Sequence, residues 1–99
     1  MTKEFIYKNI KKLEQFAKKH SEIKEFDEII IKDESRGTKE KTNYYIMFTN
    51  GKNYTEIFEN DDNNITIITF RTKLDEEDKE VGVIDTTEIK QDDFFKEFK

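Results

Sequence analysis

The apolar positions change period along the chain, and the changes mark out the elements. At about 100° per residue, Phe5, Ile6, Ile10, Leu13, Phe16 and Ala17 share one stripe, which predicts an amphipathic helix from Lys3 to about His20. Thr2 stands where its hydroxyl can accept from a free N–H of the first turn. Asn9 falls inside the stripe and contradicts the pattern. Ser21 can cap a short helical continuation through Phe26, after which Ile29, Ile30 and Ile31 favour a first strand.

From Thr42 to Leu74 the period becomes that of strands. Two runs rich in aromatic and β-branched residues flank Asn50-Gly51, a dipeptide suited to a two-residue hairpin turn, and a third run, Ile65 to Leu74, follows the polar stretch Asn60 to Asn64. This is the pattern of a three-strand antiparallel meander, with the polar residues 33–42 as the loop leading into it. A turn centred on Asn50-Gly51 pairs Thr49 with Lys52, Met47 with Tyr54, Ile46 with Thr55 and Tyr45 with Glu56. One face then carries Tyr44, Ile46, Phe48 and Ile57, and the other Tyr45, Met47, Tyr54 and Phe58. Neither face is polar, so a single helix leaves one of them uncovered.

The C-terminal segment is the candidate for the second cover. Val81 to Ile84 reads as a last short strand, Asp92-Asp93 suit a helix N-terminus, and Phe94, Phe95 and Phe98 share one side of that helix. Asp85-Thr86-Thr87-Glu88 also fits a capping box, which would start the helix earlier. The expectation is one α+β domain over residues 1–99: an N-terminal amphipathic helix on a four- or five-stranded antiparallel β-meander, with a short C-terminal helix.

Composition changes this picture little. Charged residues make up 41% of the chain, against about 25% in an average domain. Ile, Phe, Leu and Val together supply 26 of 99 residues, above the roughly 20% floor below which chains stay disordered. There is no cysteine, so stability must come from packing without disulfides. The N-terminus has no continuous apolar run and no segment approaches the length of a membrane span, which leads to the expectation of a cytoplasmic protein. Sixteen Lys against two Arg, thirteen Ile, seven Asn and a single Ala are the usage of an AT-rich coding sequence, as in a low-GC bacterium, its phages or its plasmids.

Candidate chemistry is sparse. His20 is the only histidine, which excludes a multi-histidine metal site within one chain, and three glycines in no nucleotide motif argue against a phosphate cradle. Asn60-Asp61-Asp62-Asn63-Asn64 resembles a calcium loop, but an EF-hand begun at Asp62 would need Gly and Glu where Ile67 and Lys73 stand. Asn53-Tyr54-Thr55 and Asn64-Ile65-Thr66 match the glycosylation pattern, a chance match in a cytoplasmic chain. Carboxylate pairs among Glu56, Glu59, Asp61 and Asp62 are expected by chance with 23 acidic residues. No enzyme, cofactor or metal is therefore expected. The sheet aromatics come without an RNP pattern or a basic balance, so direct nucleic-acid binding is disfavoured, although Lys8, Lys11, Lys12 and Lys19 could touch phosphates.

Charge supplies the leading functional expectation. Residues 1–20 sum to +4, residues 1–50 to +2 and residues 51–99 to −7, giving −5 overall. The acids gather at Glu56, Glu59, Asp61 and Asp62 and again at Asp75, Glu76, Glu77 and Asp78, at opposite ends of the third meander strand. Such a surface would steer a basic groove built for phosphates, so the expected partner is a basic host protein, a nucleic-acid-binding enzyme. In size, acidity and composition the chain resembles phage-encoded inhibitors of host defence, anti-CRISPR proteins among them. The expectation is a non-catalytic protein-binding inhibitor, with those eight acids as its contact residues. Tyr45, Met47, Tyr54 and Phe58 form an alternative contact patch. The competing reading is a homodimer whose aromatic sheet face forms the interface or an apolar ligand site.

Overall fold

The computed structural model describes residues 1–32, 44–51, 53–71 and 82–98. Their elements are α1 (Lys3–Lys8), α2 (Ile10–Lys19), β1 (Glu28–Lys32), β2 (Tyr45–Asn50), β3 (Asn53–Glu59), β4 (Ile65–Arg71), β5 (Gly82–Ile89) and α3 (Gln91–Lys96). The strands form one antiparallel sheet in the order β1-β2-β3-β4-β5, a meander with helices before and after it.

The N-terminal helix is two helices, broken at Asn9. Thr2 caps α1 as its position predicts, accepting from the Phe5 N–H at 3.1 Å. Asn9 then turns its side chain back to donate from Nδ2 to the Phe5 carbonyl at 2.9 Å, and its φ/ψ of −119°/23° leaves the helical region. A short amide side chain competes with the backbone in this way, so the residue that disturbed the apolar stripe is the one that ends the helix. Ser21 does not cap a further helix; residues 21–27 are irregular. Its hydroxyl accepts from the Ile23 N–H at 3.0 Å and lies 2.9 Å from Thr55 Oγ1 and 3.0 Å from Thr69 Oγ1, which are themselves 3.0 Å apart. This buried ring of three hydroxyls ties the end of α2 to the centre of the sheet.

The β2–β3 hairpin has a different frame from the one centred on Asn50-Gly51. Asn50 pairs with Asn53, so Gly51, at φ +52°, takes the first place between the strands. Thr49 therefore faces Tyr54, Met47 faces Glu56 and Ile46 faces Ile57, a shift of two residues on β3. An even shift keeps every side chain on its expected face. β5 is longer than Val81–Ile84: it runs to Ile89, so Asp85–Glu88 lie in a strand and not in a helix cap. Val81 itself, the loop at 33–42 and the end of the third run at Leu74 lie outside the described residues.

The helices share one face of the sheet. Ile6, Leu13, Phe16, Ala17 and Phe94 pack with Ile46, Phe48, Ile57, Ile65 and Ile67 in one core. Phe94 is fully buried, 5.1 Å from the Phe16 ring, and Phe5 meets Phe95 and Phe98 at 5.1 and 5.3 Å. The C-terminal helix thus does not cover the second face. The reason is connectivity: Ile89 pairs with Ile65 of the helix-covered face, and only Lys90 separates it from α3.

Candidate functional site

Of the eight acids expected to form a contact surface, burial removes two. Glu56 is 2% exposed and Glu59 is 7% exposed, on opposite faces of β3. Glu59 receives the α-ammonium group of Met1 at 2.7 Å, an ion pair enclosed within the protein. A carboxylate so paired and desolvated is a structural group rather than a docking one. Asp61 is half-buried and Asp62 exposed. Asp75, Glu76, Glu77 and Asp78 lie outside the described residues.

The turn that holds Asp61 and Asp62 is organised by Asn60. Its Oδ1 accepts from the Asp62 N–H at 2.9 Å and the Asn64 N–H at 3.1 Å, and Asn63 takes φ +65°. These contacts are those of an Asx turn, a local route to a tight β connection. Asn60 also reaches sideways, donating from Nδ2 to Glu88 Oε2 at 2.7 Å and to Thr66 Oγ1 at 3.0 Å. Asn64 Oδ1 accepts from the Gln91 N–H at 3.3 Å. The turn, the end of β5 and the first turn of α3 are thereby held together, and with them Asp61, Asp62, Glu88, Asp92 and Asp93. Sequence reasoning missed the last three because they are distant in the chain. No local pattern pointed to them: the β4–β5 ladder, which sets Ile89 opposite Ile65, is what brings Glu88 beside this turn.

The alternative patch is present in part. Tyr45, at 3% exposed, is not accessible, whereas Met47, Tyr54 and Phe58 are half-buried on the face that no described helix covers. The register adds Ile68 and Phe70, and the Phe70 ring stacks on Tyr54 at 5.2 Å. Alternation along β4 already implied this pair.

Among the lysines, Lys8, Lys11 and Lys12 surround an open groove of about 700 Å³ with Tyr7 and Phe98. Lys19 lines an adjoining recess with Lys12 and Phe98, its Nζ 3.4 Å from Glu97. A smaller recess of about 390 Å³ between the end of α2 and the β2–β3 hairpin is lined by Glu22, Lys24, Glu25, Asn50 and Asn53. His20 closes α2 against the Phe16 ring at 4.6 Å. Burial lowers its pKa, Lys19 adds to that, and Glu97 acts the other way. The shift favours the neutral imidazole over the charged form. No described helix is long and apolar enough to cross a membrane.

No protein-family model, curated protein or solved structure matches the chain.

Proposed function

We propose that the protein is a non-catalytic binding module whose carboxylate-rich end engages a basic partner surface, with inhibition of a host nucleic-acid-binding enzyme, as in anti-defence proteins, as its specific role. The observation that carries this reading is the convergence of Asp61, Asp62, Glu88, Asp92 and Asp93 through the Asn60 and Asn64 contacts. Five carboxylates thus gather at the end of the sheet that holds the β3–β4 turn, while residues 1–20 carry +4. A carboxylate cluster of this kind attracts a basic groove and steers its approach before contact.

Two neutralised variants test the proposal. One carries Asp61→Asn, Asp62→Asn, Asp92→Asn and Asp93→Asn; the other carries Asp75→Asn, Glu76→Gln, Glu77→Gln and Asp78→Asn. Immobilised wild-type protein is expected to capture basic nucleic-acid-binding proteins from a bacterial lysate at low salt and to lose them as salt is raised, because screening weakens exposed charge pairs. The first variant should lose them already at low salt. Undiminished capture by both variants would end the electrostatic reading.

A further inference from the structure

We infer that β1 is a self-pairing edge through which two copies of the chain associate into a continuous ten-stranded sheet. β1 and β5 are the two edges of the five-stranded sheet. An edge strand presents unpaired backbone N–H and C=O groups, and whether it recruits another strand depends on the side chains beside them.

The two edges differ in just this respect. β5 holds Asp85 and Glu88 and no basic residue, starts at Gly82 with φ +140°, and is bulged opposite Thr69/Phe70. Acid, irregular backbone and a bulge are the features that block strand addition.

β1 reads Glu28-Ile29-Ile30-Ile31-Lys32, which is complementary to itself when run antiparallel. Centred on Ile30, the pairing sets Glu28 opposite Lys32 of a second copy twice, Ile29 opposite Ile31 twice, and Ile30 opposite itself. A slip of one residue turns the two copies' helices to opposite sides of the sheet; in one direction it loses both ion pairs and in the other it exchanges them for Asp27 opposite Lys32. Among the described residues neither Glu28 nor Lys32 has an ion-pair partner within the chain. Ile29 is one of three exposed large hydrophobic residues there, 39% exposed beside the buried Phe48.

The symmetry also closes. A two-fold axis perpendicular to the sheet at Ile30 makes the strands antiparallel and keeps the helices of both copies on the same side. Glu28, Ile30 and Lys32 lie on the opposite face, where Ile30 pairs with Met47 and no described helix interferes. A five-residue edge gives a small interface, so the dimer belongs to the weak class and should be populated at about 100 μM chain.

Sedimentation velocity on the full chain across a concentration series provides the test, with three variants beside the wild type. Glu28→Lys alone and Lys32→Glu alone each set like charges opposite one another at both pairs, and each should raise the dissociation constant about tenfold. Combining them restores complementarity and should restore dimerisation. Circular dichroism of each variant establishes that the monomer fold is kept. A wild type that stays monomeric at about 1 mM would overturn the inference. A dimer indifferent to the single swaps would overturn it too, and loss of that dimer on Met47→Lys would place the interface on the second sheet face instead.

Discussion

The two faces of the sheet are made from the same kinds of residue and finished differently. On one, Ile46, Phe48, Ile57, Ile65 and Ile67 meet three helices and leave no exposed apolar side chain at the centre. On the other, Met47, Tyr54, Phe58, Ile68 and Phe70 are only half-buried, although Tyr45 and Glu56 are sealed among them. Strand alternation dictates that both faces are apolar, while the length of the β5–α3 connection dictates which one receives the last helix. An apolar face in a sequence therefore states a need for cover without saying what supplies it.

Truncating one aromatic ring on each face should separate them most. Phe94→Ala removes a fully buried ring at the junction of all three helices and is expected to cost about 3–5 kcal/mol in urea denaturation. Phe70→Ala removes a half-buried ring whose stacking on Tyr54 is worth about 1 kcal/mol, and should cost no more than about 2. Equal losses would mean that the second face is as well packed as the first.

Next in size is the contrast between two neighbouring acids. Glu59→Gln leaves the Met1 ammonium group enclosed without its counter-charge and should cost about 3 kcal/mol. Asp62→Asn, on the exposed turn three residues later, should stay within about 0.5 kcal/mol. If the two were equal in denaturant midpoint, the Met1–Glu59 pair would not be a structural contact.

These contrasts show why the fold was more legible than the site. The helix stripe, the alternation of β2 to β4 and the faces they present are local periodicities, and each reappears in the structure. Even the hairpin, whose frame moved by one position at Gly51, kept its faces because the shift on β3 was even. The fate of Glu59 could not be read that way. Its burial depends on the chain terminus folding back across 58 residues, and no local pattern distinguishes it from Asp61. The same holds for Glu88, Asp92 and Asp93, which join the acidic end through amide contacts made by Asn60 and Asn64. Asn9 is the intermediate case: the sequence marked it as discordant, and its helix-ending contact needed the structure.

A smaller effect separates hydroxyls on the two faces. Thr55→Val opens the buried ring with Ser21 and Thr69, leaving one donor and one acceptor without a partner, and should cost about 1–2 kcal/mol. Thr66→Val, which removes an acceptor of Asn60 on the less covered face, should cost under about 1 kcal/mol because water can replace it. Hydrogen exchange at Ile23 gives an independent reading, since its N–H bonds to the Ser21 hydroxyl that the ring holds in place.

The smallest expected effect is a pH dependence confined to the helix-covered side. His20 packs on Phe16, and burial, reinforced by Lys19, lowers its pKa below 6.5 in the folded protein. The unfolded chain thus takes up the proton at a higher pH than the folded one. Stability from this residue is complete above about 6.5, declines as pH falls through that value, and is fully lost below the folded pKa. His20→Gln should remove this component, so the stability difference between wild type and variant should change between about pH 7.5 and about pH 5.5. Glu97→Gln should enlarge the wild-type decline, because Glu97 raises the His20 pKa and pairs with Lys19, whose charge lowers it. Wild type and His20→Gln losing stability in parallel over that interval would show that the imidazole is equally solvated in both states, and that α2 ends more loosely than its contact with Phe16 implies.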